Sequence, residues 1–191
     1  DYVILGGDNA DNAQSNELDW FMKILDGAES VECDSGIDDD PVAGGNNDPK
    51  DAFIADGLAM PWLWVTGNHD VLVQGNLKTA GFVEKAIATT PTGGTRDWAQ
   101  PGAPLTKEEL PAEERRAVMS RATLLDMVAA SGDGHGISAA TKQIGKAFYT
   151  YDIAGTPLRI VALDTAAETG GSNGLIHEAD VEAFAAFFAL G

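Results

Sequence analysis

Two short apolar runs, each ending in glycine followed by aspartate or asparagine, constrain this chain more than any other feature. Tyr2-Val3-Ile4-Leu5 leads into Gly6-Gly7-Asp8-Asn9-Ala10-Asp11, and Trp62-Leu63-Trp64-Val65-Thr66 leads into Gly67-Asn68-His69-Asp70. Continuous apolar runs of this kind read as strands buried on both faces, and the glycines let the backbone turn sharply at the tips. Between them Leu18, Phe21, Met22 and Leu25 repeat at helical spacing, which predicts a helix over 15–26 with Ser15 as its cap and Gly27 as its stop. Strand, helix and strand make a βαβ unit. With the strands parallel, both tips lie on the sheet edge where open α/β sheets bind ligands. Asp8 and Asn68 then face one crevice.

The remainder reads as alternating elements broken by two long insertions, at about 28–57 and 91–145. The first is polar and turn-rich; its Asp38-Asp39-Asp40 run lacks the alternating spacing of a calcium loop and is expected to be solvated. A helix is expected over 77–88. Thr106 and Glu109 have capping-box spacing, with Pro111 in the first turn, predicting a helix to about Ala130 that shows Val118, Ala122, Leu125 and Ala129 on one face. His135 sits in a glycine-rich loop and is expected to be mobile. Residues 147–153 and 157–163 read as a hairpin turned by Ala154-Gly155-Thr156. A closing helix over 178–190 places Val181, Phe184, Ala185 and Phe188 together, with His177 at the surface near its start. The fold class is α/β. The chain opens at Asp1 inside an expected strand and closes at Gly191 after an apolar helix, as expected of an internal piece of a longer protein.

Composition narrows the partners. Thirty acidic against 12 basic residues give a net charge of −18, which repels nucleic acid unless a local field reverses it. No Lys/Arg cluster does so, whereas a bound divalent cation would. No apolar run is long enough to span a membrane. Cys33 is the single cysteine, which rules out a disulfide framework and a cysteine-based zinc site.

An aspartate, an amide and an imidazole on glycine hinges suit metal-assisted hydrolysis. Asp8 is a hard oxygen ligand able to bridge two cations, Asn68 offers a neutral oxygen, and His69 offers a proton near neutral pH. Each also has a plainer reading: Asp8 as a helix-capping turn residue, Asn68 and Asp70 as turn residues, His69 as a satisfied loop histidine. Asn9, Asp11 and Asn12 compete for capping and orienting roles. Trp62 and Trp64 read as core.

Gly7-Asp8-x-x-Asp11 followed by Gly67-Asn68-His69-Asp70 resembles the calcineurin-like metallophosphoesterase superfamily. Arg159-Ile160-Val161-Ala162-Leu163, ending in Asp164-Thr165 before Gly174 and an apolar helix, is also similar to it. The two insertions resemble a long-insert bacterial branch whose members often carry export signals. The resemblance implies an αββα sandwich of mixed sheets flanked by helices, incomplete here at both ends. It implies hydrolysis of a small-molecule phosphate ester, monoester or diester, by two metal ions such as manganese, iron or zinc. Asp8 would bridge the metals. Asn68 would bind the second metal and touch a phosphate oxygen. His69 would protonate the leaving group, and Asp11 would hold His69. Gly7, Asn12, Gly67 and Asp70 would support them, and Asp164 would be structural. The family's D-x-H is not found ahead of Gly7-Asp8 and its G-H-x-H is not in the chain, and neither His135 nor His177 has their context. The full-length protein is therefore expected to be the enzyme and this piece nearly inactive. The alternative is a non-catalytic metal- or ligand-binding domain of the same fold.

Overall fold

The computed structural model describes residues 1–32, 45, 51–89, 100–104, 106 and 109–189. Asp38–40, Cys33 and the middle of the Thr106 capping motif lie outside them. The chain is a mixed α/β fold. Among the described residues it has four two-stranded sheets and five α-helices.

The strand–helix–strand unit forms. β1 (Val3–Ile4) pairs in parallel with β4 (Trp62–Leu63), Val3 opposite Trp62. Two flanking bonds extend the pairing: Val3 N–H donates to Pro61 O at 3.0 Å, and Leu5 N–H to Leu63 O at 3.1 Å. The ladder is shorter than the apolar runs suggest, and β1 is not buried on both faces: Ile4 is 58% exposed. Only β4 pairs with β1 among the described residues.

α1 (Ser15–Asp26) crosses over between these strands and buries Leu18 and Met22. Its N-cap is Gln14 rather than Ser15, because the Ser15 hydroxyl is taken by Arg115 O at 2.6 Å. Gly27 stops the helix with φ +89°. The first insertion contributes an antiparallel pair at its ends, β2 (Ala28–Val31) with β3 (Phe53–Ala55).

The helix expected over 77–88 gives way to a hairpin, β5 (Leu72–Val73) with β6 (Leu77–Lys78), a 3-10 turn, and the short α2 (Val83–Ile87). The long helix ending near Ala130 is likewise shorter. α3 (Arg121–Ala130) starts at Ser120, whose hydroxyl accepts the Thr123 N–H. Tertiary pairing decides this start. Residues 117–119 lie extended against 13–15, with Ser15 N–H on Ala117 O and Met119 N–H on Ala13 O. The helix accordingly buries Arg121, Leu124, Leu125 and Val128 and leaves Ala122 exposed.

α4 (Ala139–Ile144) follows, capped by Ser138 and stopped by Gly145. β7 (Tyr149–Asp152) and β8 (Arg159–Ala162) form the expected hairpin, Tyr149 opposite Ala162. α5 (Glu178–Ala189) meets it through Phe184 and Phe187, whose rings lie 6.5 and 5.0 Å from that of Phe148. Phe184 and Phe188 lie together on the expected face, their rings 5.0 Å apart, but Val181, Ala185 and Phe188 stay exposed. His177 is exposed, as its position at the helix start suggests.

One core joins these pieces. Leu18 and Met22 of α1, Trp62, Trp64, Leu72, Leu124, Leu125, Val128 and Tyr149 belong to it. Trp62 and Trp64 are 2% and 0% exposed, so they are core and not a substrate platform. Burying an aromatic or aliphatic side chain of this size stabilises by about 1.5–3 kcal/mol.

Candidate active site

The two glycine-hinged tips meet. Gly7 has φ +94°, and a Cβ there would stand 2.7 Å from Gly67 Cα. A Cβ on Gly67 would stand 2.1 Å from Asp8 N. Neither position has room for a side chain, so the backbones of both tips pack directly together. The turn drives Asp8 into the left-handed region, φ +57°, which is uncommon for a residue with a Cβ but tolerated by Asp.

Asp70 holds that conformation. It is 1% exposed. Its Oδ1 accepts N–H bonds from Asn9 and Ala10, both at 2.8 Å. Its Oδ2 accepts from Gly67 N at 2.7 Å, Asp8 N at 3.1 Å and Asn9 Nδ2 at 3.2 Å. One carboxylate thus ties the loop after β1 to the loop after β4. Burial is the largest influence on its proton affinity and raises its pKa from 3.8 to about 6; the donated bonds from Gly67, Ala10 and Asn9 pull the other way, and Asp8's charge adds to the rise.

Asp8 is exposed at the tip, and its Oδ1 accepts the His69 N–H at 3.1 Å. The His69 ring turns toward Asp11. Nδ1 lies 3.0 Å from Asp11 Oδ1 and 3.1 Å from Asp11 O. Both neighbours can only accept, so neutral His69 carries its proton on Nδ1 and leaves Nε2 free to exchange one. Asn68 donates from Nδ2 to Gly75 O at 2.8 Å, which presents its oxygen as the available ligand atom.

An open cleft of about 490 Å³ is lined by Asp8, Asn9, Ala10, Asp11, Glu17, Trp20 and His69. Three carboxylates and one imidazole make it strongly electronegative. Asp8 lines this cleft and Asn68 does not, so the structure does not bring the two into the one crevice expected of them; each is a hard oxygen donor of the kind that binds a divalent cation. Among the described residues, no group of three His, Cys, Asp or Glu side chains is gathered to hold a metal. These two donors would therefore be a partial set.

Three residues of the neighbourhood were not singled out by sequence. Glu17 accepts from Asp11 N, Asn12 N, Asn12 Nδ2 and Gln14 N; its spacing three after Gln14 is the available signal. Gly75, with φ +65°, takes the Asn68 amide, and a Cβ there would stand 2.5 Å from His69 Nε2. Trp20 gives the cleft its aromatic wall.

His135 is not a mobile loop residue. It is 3% exposed, with its ring stacked 3.5 Å from that of Trp62 and its Nε2 3.1 Å from Asp26 Oδ2. Trp62 and Asp26 hold it there, and the groove it lines, of about 280 Å³, does not include the strand-tip residues. Asp164 is also buried, accepting Arg121 Nη1 at 2.5 Å and the N–H groups of Ala147 and Ala166. Comparison with protein-family models, with curated proteins and with solved structures finds no match for this chain.

Proposed function

We propose that this chain is part of a metal-dependent phosphoesterase whose fold is a partial αββα sandwich, and that the longer protein carrying it hydrolyses a small-molecule phosphate ester. The observation that carries the reading is the gathering of Asp8 and the His69–Asp11 pair in one cleft at the ends of two parallel strands, with Asn68 next to His69 in the chain. Asp8 and the Asn68 oxygen would be this chain's contribution to holding two metal ions. When bound, such ions supply hydroxide at neutral pH and neutralise developing charge on the phosphate. His69, once protonated, donates from Nε2 to the leaving oxygen while Asp11 Oδ1 steadies Nδ1. Acidity elsewhere in the cleft repels a free phosphate, so substrate binding depends on the metal.

The test is hydrolysis of an aryl phosphate monoester and a bis-aryl diester by the full-length protein with manganese, iron or zinc. Activity is expected to need metal, to vanish in Asp8→Asn, and to be close to absent in the 191-residue chain alone. Metal-independent turnover, or robust activity in the isolated chain, overturns the proposal. The second reading, a non-catalytic metal- or ligand-binding domain, is favoured by the small donor set of Asp8 and Asn68. It predicts metal binding by the full-length protein without hydrolysis of either ester.

A further inference from the structure

Glu17 closes the start of α1, yet its hydrogen bonds go mostly elsewhere. A capping box requires a bond from the N-cap N–H, and that bond, from Gln14, is the longest of the four at 3.4 Å. The shorter ones come from the site loop: Asn12 N at 2.8 Å, Asn12 Nδ2 at 3.0 Å and Asp11 N at 3.1 Å. Asn12 is 7% exposed, and its Nδ2 also donates to Asp11 Oδ2 at 2.9 Å. One amide therefore bridges two carboxylates. The reverse orientation would set Asn12 Oδ1 against both anions, so the bridge has a single sense. Asp11 in turn uses its other oxygen on His69 Nδ1. The order Glu17, Asn12, Asp11, His69 is continuous.

We propose that Glu17, acting through Asn12, is a positioning residue for His69. The helix carboxylate fixes the Asn12 amide, the amide fixes the Asp11 carboxylate, and the carboxylate selects the Nδ1–H form of the imidazole and its ring orientation. This rests on the phosphoesterase reading only for what the histidine then does; the linkage itself does not depend on it. Glu17→Gln separates the two roles of Glu17. The glutamine oxygen still accepts the backbone N–H groups at the helix start, while its amide nitrogen meets the Asn12 Nδ2 donor to donor.

The experiment is nitrogen NMR of the histidine side chains in this chain, metal-free, at a pH where His69 is neutral. The His69 signals are assigned by their loss in His69→Ala. In the unaltered chain the Nδ1–H tautomer is expected to dominate. Glu17→Gln and Asn12→Ala are expected to move it toward a mixture with the Nε2–H form, while the backbone amide signals of α1 stay in place. An unchanged tautomer in both variants, with α1 intact, overturns the proposal. Should either variant unfold, hydrogen exchange of the Asn12 side-chain amide in the unaltered chain decides: slow exchange supports the bridge, and exchange at the solvent rate overturns it. No outcome depends on turnover, so a failed phosphatase assay and a failed linkage are told apart.

Discussion

Asp164 and Asp70 are almost equally hidden, at 2% and 1% exposure, and both lie beyond the end of a strand. Asp164 shares its charge with Arg121, whose guanidinium lies 2.5 Å away and also donates to Ala166 O at 2.6 Å. Among the described residues, Asp70 receives only backbone and amide N–H groups, with Asp8 as its charged neighbour. The first arrangement is electrostatically closed and reads as a fastener for the start of α3. The second leaves a negative charge beside Asp8 with no cationic partner among the described residues, so that end of the sheet favours a cation from outside. The contrast separates a structural carboxylate from one that holds a site in shape.

Removing the cation from the closed pair should have the largest effect. Arg121→Met leaves Asp164 buried and uncompensated and is expected to cost about 3–5 kcal/mol in denaturant unfolding. A loss below about 1 kcal/mol would show that water reaches Asp164 and would break the contrast. Asp70→Ala comes next. Each orphaned N–H costs about 1–3 kcal/mol, relief of the buried charge offsets part of it, and a net loss of about 2–3 kcal/mol is expected.

The pH dependence sharpens the same point. Folded Asp70 keeps its proton up to about pH 6, against 3.8 as its ordinary value, so the native state binds more protons in that window. Its contribution is fully present below the lower value and is lost as pH rises through about 6, with a slope of at most about 1.4 kcal/mol per pH unit. Unfolding of the metal-free chain followed between pH 4 and 7 should show that fall, and Asp70→Ala should flatten it. The smallest stability effect belongs to His69→Ala, under about 0.5 kcal/mol, because the ring is partly exposed and the Asp8 bond uses its backbone N–H. In the full-length protein the same change is expected to lower turnover about 10²–10⁴-fold while sparing metal binding. Unchanged turnover would remove His69 from the chemistry.

Local patterns were legible where the forces that set them are local. α1 shows its helical spacing and its stopping glycine, and the β7–β8 hairpin shows its turn. The parallel pairing of β1 with β4 followed from two apolar runs and the crossover between them. Misreadings fall where distant segments decide. Nothing near residue 118 says that 117–119 will lie extended beside 13–15, and so the pattern predicts a longer α3 than forms. His135 reads as a mobile loop residue because the Trp62 ring that covers it is far away in sequence. On α5 the expected face supplies Phe184, and the position of Phe148 adds Phe187, which the helix's own periodicity does not mark. At the site, Asp8, Asp11, Asn68 and His69 stood out as residue types. The part played by Asp70 depends on five donors, four of them in a loop about sixty residues earlier.

The same separation sets an order of events during folding. Asp70 bonds to Asp8 across 62 residues, so the two strand tips can join only after the whole intervening crossover has been drawn in. Closing so long a loop costs conformational entropy before any of these bonds can compensate, and contacts of this range form late. The hairpin β7–β8, which needs no such closure, can be in place while the strand-tip cleft does not yet exist. A chain emerging from synthesis therefore carries Asp8, and even α1, through a period when His69 is not yet beside them. The carboxylates of the pocket are neighbours in sequence from the start, but its imidazole arrives only when the second strand tip docks.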